Sequence, residues 1–254
     1  MTMLLSLQKS IVYGPVASRR LGRSLGINLL PATEKVCTFN CVYCQYGWSD
    51  FGVLGNVTAP PLPSRERVRE AVEESLRGAG SRAAFLTFSG NGEPTLNPAF
   101  PAIVADLVDL RDRLAPGART AILSNSTTVA DEAVREALSL LDVRIMKLDA
   151  GEVDTVLRYN QPAPGTDFEA MVDGLGRLKD VTIQALFSKG PAGNFSESDV
   201  EAWVRRVKAL GPRSVQVYTL ARGYPSAGIG PLTREELAGI GDRLAEAGVP
   251  GEVF

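Results

Sequence analysis

Along the chain, short apolar and β-branched runs alternate with longer stretches whose apolar residues recur every three to four positions. The short runs fall at 25–30, 83–89, 120–124, 143–148, 181–188 and 214–220. Their nearly continuous apolar character is that of strands buried on both faces. The longer stretches, at 64–77, 98–114, 130–141, 168–179, 197–210 and 234–247, read as amphipathic helices. Thr166-x-x-Glu169 and Thr233-x-x-Glu236 match the capping box, and Ser196-x-x-Asp199 is a shorter-armed version. Gly80, Gly117 and Gly211 follow predicted helices, where a left-handed residue commonly ends the helix. Six strand-then-helix units predict a mostly parallel sheet with right-handed crossovers. The fold class expected is α/β, a partial (β/α)6 TIM-like barrel two units short of the eight-unit closed form. A flat doubly wound sheet is the alternative. One domain is expected over 1–254, with 1–24 an N-terminal extension packing on the barrel and 45–63 a long loop.

The polar positions sharpen this picture. Predicted strands end in Ser89-Gly90-Asn91-Gly92-Glu93-Pro94, Ser124-Asn125-Ser126, Lys147-Leu148-Asp149, Ser188-Lys189-Gly190 and Thr219-Leu220-Ala221-Arg222. In β/α barrels the loops after the strands converge on one rim, which is where such enzymes build their sites. So many polar strand ends on one rim predict a polar pocket.

Composition mainly removes possibilities. With 44% apolar and 22% charged residues and a net charge of -2, the chain reads as an ordinary globular protein. The balance argues against general nucleic-acid binding, which needs a clustered basic surface. Arg65, Arg67 and Arg69 read as a solvated helix face, and Arg19, Arg20 and Arg23 form a second basic group. The N-terminal residues lack a basic segment followed by an apolar stretch, and no apolar run approaches the ~20 residues that span a bilayer. The expected location is the cytoplasm, without membrane contact. There is no histidine, which removes Ser-His-Asp and Cys-His catalysis and every histidine-containing metal site.

The three cysteines fall within eight residues, Cys37-Thr-Phe-Asn-Cys41-Val-Tyr-Cys44. An odd count cannot pair fully as disulfides. Thiolates are soft ligands suited to iron–sulfur clusters and zinc. A closed zinc site wants four ligands, and a cubane cluster normally takes four thiolates. Three thiolates leave one iron open, a deficit for electron transfer and an asset for an enzyme that binds a molecule at iron. The bland alternative is three cysteines packed as small apolar residues.

The spacing Cys-x3-Cys-x2-Cys, with Tyr43 before the last cysteine and after the first strand of a β/α chain, resembles the radical S-adenosylmethionine (SAM) superfamily. The stretch Tyr13-Gly-Pro-Val-Ala-Ser18-Arg19-Arg20-Leu-Gly22-Arg-Ser-Leu-Gly26-Ile-Asn28, with Gln45-Tyr46-Gly47 after the cysteines, is similar to a narrower branch. That branch is the iron–sulfur oxidoreductases related to the wybutosine-synthesis radical enzymes. The resemblance covers most of the chain. It implies one 4Fe–4S cluster on Cys37, Cys41 and Cys44, with SAM bound at the open iron. SAM would be cleaved to methionine and a 5′-deoxyadenosyl radical that takes hydrogen from a substrate.

By position, the resemblance puts Gly90, Asn91, Gly92 and Glu93 at the SAM ammonium, and Ser124 and Asn125 at its ribose or carboxylate. Tyr43 would lie beside the adenine, with Ile183 as an apolar contact and Gln184 next to it. Lys147 and Asp149 would act on substrate or pair with each other. An imine lysine exists in the wybutosine branch, but no motif matches Lys147 to it. Gln184, Tyr218 and Arg222 point to a polar or anionic substrate group, and Arg19 and Arg20 to the SAM carboxylate or a tie for the N-terminal segment. Implied partners are an electron donor such as flavodoxin or ferredoxin and a small-molecule or RNA-base substrate. The branch's second cluster needs three more cysteines, absent here, so a one-cluster enzyme is expected. Two alternatives stand beside it: a glycyl-radical-enzyme activating enzyme, and a non-catalytic iron–sulfur or zinc redox-sensing protein.

Overall fold

A computed structural model describes residues 3–18, 20–50 and 61–254. Arg19 and the middle of the 45–63 loop lie outside the described residues. Eight strands form one sheet in chain order: β1 (Val12–Ser18), β2 (Gly22–Ile27), β3 (Phe85–Phe88), β4 (Arg119–Ser124), β5 (Val143–Lys147), β6 (Val181–Leu186), β7 (Ser214–Tyr218) and β8 (Gly251–Val253). β1 pairs antiparallel with β2, and every later pair is parallel. The helices are α1 (Arg65–Arg77), α2 (Phe100–Leu114), α3 (Glu132–Ser139), α4 (Val153–Tyr159), α5 (Phe168–Arg177), α6 (Glu197–Leu210) and α7 (Arg234–Glu246). Strands β2 to β7 are the six predicted units of a partial TIM-like barrel, and the sheet does not close. No helix among the described residues is long and apolar enough to cross a membrane.

Three elements were not legible in the pattern. β1 contains Gly14-Pro15 and is half exposed, β8 is three exposed residues, and α4 is only seven residues long. The first predicted strand also begins earlier than expected, at Gly22, because its N-terminal half pairs with β1.

The parallel strands alternate more than their composition suggests. Leu25, Ile27, Leu86, Phe88, Met146, Ile183, Val215 and Val217 point outward into the core shared with the helices. Successive side chains in a strand face opposite sides, so Ser24, Thr87, Lys147, Thr182, Gln184, Ser214 and Gln216 face the barrel interior. There they pair across neighbouring strands: Ser24 with Thr87 at 2.7 Å, Thr182 with Ser214 at 3.0 Å, and Gln184 with Gln216 at 2.9 Å. The interior therefore carries a band of hydrogen-bonded polar residues beside a small apolar patch of Leu21, Phe85, Ala121, Val143 and Ile145, where a closed barrel packs layers of branched aliphatic residues.

Helix ends follow the predicted rules in part. Thr233 and Glu236 form the capping box, and Ser196 accepts from the Asp199 N–H. Gly211 ends α6 in the left-handed conformation at φ 58°. At α5 the cap is Asp167, not Thr166, whose hydroxyl instead donates to the Ala163 carbonyl at 2.8 Å. Gly80 sits inside a short 3-10 turn, and α2 is closed by the Ala115 N–H on the Arg111 carbonyl, so neither Gly80 nor Gly117 supplies a left-handed cap. Across the sheet, Trp203 of α6 is fully buried, donates to the Leu148 carbonyl at 2.7 Å and packs edge-on against Phe187. That contact pins the end of β5, where the site begins.

Candidate active site

The cysteine loop follows β2 and is tied on two sides. On one side Val36 bridges Gly92, the Val36 N–H bonding Asn91 O at 3.0 Å and the Glu93 N–H bonding Val36 O at 3.0 Å. Gly92 has φ 143°, and a Cβ there would lie 1.8 Å from Val36 O, so only glycine permits this approach. On the other side Asn40 N–H bonds Gln161 O at 3.1 Å and Val42 N–H bonds Tyr159 O at 3.0 Å, fixing the loop to the end of α4. Lys35, only 7% exposed, closes the loop by donating to Gly47 O at 2.8 Å and Phe39 O at 3.4 Å.

All three cysteines are free, Cys37 buried and Cys41 and Cys44 partly so. Each of the first two receives an amide N–H: Asn125 to Cys37 Sγ at 3.5 Å, Asn160 to Cys41 Sγ at 3.3 Å. Burial pushes the Cys37 thiol up to about 12, with the Cys41 charge adding to the rise against Lys35, and pushes the Cys41 thiol to about 11, with the Asp149 and Cys44 charges adding to it. Three soft thiols on one loop, with neutral amides aimed at sulfur, match the donor set of a three-thiolate cluster and its hydrogen-bonding shell. Among the described residues no set of three or more Cys, Asp or Glu is arranged to hold a single metal ion.

Glu93 is 1% exposed and ties the ends of β3 and β4 together. Its Oε1 accepts from the Thr95 N–H at 3.1 Å, the Thr95 hydroxyl at 2.6 Å and the Ser124 hydroxyl at 3.0 Å; Oε2 accepts from the Asn125 N–H at 2.5 Å. Burial raises its pKa and these hydrogen bonds oppose the rise. Glu93, Ser124, Asn125 and Cys37 thus share one network, with Gly90 beside it at φ 135°. Asn91 stands apart: its amide is spent on Gln8 O at 2.9 Å and Pro31 O at 2.7 Å, stapling the N-terminal segment. Ile183 points into the helix-facing core, because strand alternation turns it away from the interior that Gln184 faces.

A second network centres on Asp149, 3% exposed. Its Oδ1 lies 3.1 Å from Lys147 Nζ and accepts from the Leu186 N–H at 2.8 Å; its Oδ2 accepts from the Tyr43 hydroxyl and from Asn160 at 2.8 Å. Lys147 donates to the Tyr218 hydroxyl at 2.9 Å, and that hydroxyl donates to Gln184 at 3.3 Å. Burial alone would lower the Lys147 pKa; the Asp149 charge and Tyr218 outweigh it and hold the amine above its ordinary value. Lys147 is therefore an ammonium in an ion pair. Arg222 is exposed and donates to Gln45 Oε1 at 2.8 Å, holding the loop after the cysteines and not facing the interior. Sequence reasoning missed Lys35, Tyr159 and Asn160, the last two because they close a helix too short to register.

An open β/α barrel with three free thiols after its first parallel strand defines a class of cofactor-dependent protein. The chain belongs to the radical SAM superfamily, whose family model matches residues 35–207. Proteins of this superfamily use a 4Fe–4S cluster and SAM. Among relatives, the chain is 29% identical to a Brachyspira hyodysenteriae protein named GTPase Obg, over 89% of this chain and 32% of that one. It therefore spans about a third of that relative's length, and it contains no Gly-x4-Gly-Lys-Ser/Thr phosphate loop. It is 30% identical to a UPF0026 protein of Helicobacter pylori, covering 89% of this chain and 71% of the relative. In three dimensions it is similar to a structure of TYW1 with a lysine–pyruvate adduct bound, with a TM-score of 0.61 at 15% identity, over 88% and 73% of the two chains.

Proposed function

We propose that this chain is a one-cluster radical SAM enzyme acting on a polar or anionic substrate in the barrel interior. The observation that carries the reading is the set of three free thiols on one anchored loop, two of them receiving side-chain amide N–H groups. Cys37, Cys41 and Cys44 would hold the cluster, and Gly90, Gly92, Glu93, Ser124 and Asn125 would line the SAM site. When bound, these groups supply one-electron cleavage of SAM to methionine and a 5′-deoxyadenosyl radical, the electron coming from a donor such as flavodoxin or ferredoxin.

The protein's own part is to bind and orient. Glu93 fixes the Asn125 backbone and Ser124, so one side of the site is preorganised. Asp149 holds the Tyr43 hydroxyl and Asn160, which faces Cys41, so the other side is coupled to the substrate-facing Lys147. The charged state of Lys147 favours electrostatic contact with substrate over imine formation, which needs a neutral amine.

Anaerobic reconstitution tests the reading. About four iron per chain are expected, with 5′-deoxyadenosine formed from SAM and dithionite, and Cys41→Ala abolishing it. A purified protein holding zinc alone, or a reconstituted one inert toward SAM, would overturn it.

A further inference from the structure

We infer that Arg20, in the turn between β1 and β2, forms a carboxylate-binding site inside the barrel that anchors one end of the substrate. The inference deepens the reading above and rests on it for calling the ligand a substrate.

Arg20 Nη1 is fully covered and has no hydrogen-bond partner. No carboxylate of the described residues forms an ion pair with Arg20. Its guanidinium lies 4.5 Å from the centre of the Tyr218 ring and 5.9 Å from that of Phe254. Aromatic faces offset part of the cost of taking a cation out of water, but a covered N–H without an acceptor remains unsatisfied. A ligand oxygen would satisfy it.

The surroundings select the charge of that ligand. Tyr218 is the shared wall: Arg20 lies over its ring while Lys147 and Gln184 hold its hydroxyl. Lys147 and Asp149 are paired with each other, which leaves Arg20 as the cation on this wall with no carboxylate of the described residues in ion-pair contact. A single carboxylate neutralises it, whereas a phosphate dianion would leave an excess negative charge in a partly dry cleft. The planar guanidinium also matches a carboxylate in two-point geometry. On β4, Leu123 is 36% exposed although it sits among the middle strands, on the same strand face as Ala121, so the interior has room next to an apolar surface.

Position makes the site one for anchoring. Lys147 Nζ lies 5.0 Å from the Tyr218 ring centre and 4.7 Å from that of Tyr43, the residue before Cys44. A file of groups therefore runs from Arg20 through Tyr218, Lys147 and Tyr43 to the cysteine loop. A carboxylate held at Arg20 leaves the rest of the ligand free to extend toward the cysteines.

The test uses acetate as probe, followed by carbon-13 line broadening, on anaerobically reconstituted protein with the cluster oxidised and SAM present. Wild type should bind acetate more tightly than inorganic phosphate. Arg20→Gln should weaken acetate at least tenfold, and Arg20→Lys should weaken it less, because it keeps the charge and loses the two-point geometry. Circular dichroism checks the fold of each variant; if Arg20→Gln fails to fold, the Arg20→Lys titration decides. Acetate binding unchanged in the variants, or absent in wild type, would overturn the site, and tighter phosphate binding would overturn the carboxylate assignment. A variant that loses SAM affinity and keeps acetate would reassign Arg20 to the cofactor, against the proposal. Iron content and 5′-deoxyadenosine formation by wild type report separately on the enzyme reading.

Discussion

Asp149 has both oxygens committed, and this makes it the residue on which the interior most depends. Replacing it with Asn leaves the Lys147 ammonium buried without its counter-charge, a change that typically costs about 3 kcal/mol. Asp149→Asn should therefore lower the unfolding free energy by roughly that amount in urea titration. The sign with pH follows from Lys147, whose pKa is raised in the folded state. Its contribution is fully present below the unfolded lysine value, about 10.4, and is lost only as pH rises through the higher folded value. The difference between variant and wild type should thus stay flat from about pH 6 to 9; a difference that vanishes at the alkaline end of that window would contradict the ion pair. At this scale the cysteines were legible because spacing on one loop survives without structure. Arg222 was not: its identity gives a charge, and only the fold shows that it turns to Gln45 on the surface. Ile183 failed for the same reason, since its apolar character fits either face of β6.

Between elements, α1 and α2 are joined by Asp106, which accepts a two-point bond from Arg65 at 2.7 and 2.9 Å and a third from Arg69 at 2.9 Å. The Arg65 hydrogen bonds lead in holding the Asp106 carboxyl below its ordinary range, with the Arg65 and Arg69 charges adding to them. A depressed folded pKa means stability present above the unfolded value and lost as pH falls through the folded one. Both arginines are well exposed, so the effect is modest, about 1 kcal/mol. Acid titration of stability should show wild type losing that much more than Asp106→Asn on going from neutral pH to the acid limit; parallel curves would remove the ion pair from the account. Helix-period stretches gave the long helices well, because each carries a full apolar stripe. The edge strands β1 and β8 and the short α4 carried too few core contacts to leave a pattern, although α4 supplies Tyr159 and is followed directly by Asn160.

For the molecule as a whole, the open barrel was readable from six strand–helix units, but its polar interior was not. The apolar runs suggested strands buried alike on both faces, whereas the structure divides them into an aliphatic outer face and an inner one where hydrogen-bonded polar residues sit beside a small apolar patch. The sheet stays open between β1 and β8, and Arg20 lies against the rings of both Tyr218 and Phe254.

The anchoring of the cysteine loop has a consequence for how the protein is made. The amide that faces Cys41 lies 119 residues later in the chain, and the backbone partners of Asn40 and Val42 come from the same region. Chains emerge from the ribosome N-terminus first and fold as their units are completed. A nascent chain halted before Asn160 would carry all three cysteines yet lack half of their scaffold. Such ribosome-bound chains should retain little iron under anaerobic cluster donation, whereas chains released at full length should retain it. Iron bound equally by both would show that the loop assembles without its distant partners; otherwise cluster insertion is a late event, timed by the emergence of a helix far downstream of the ligands.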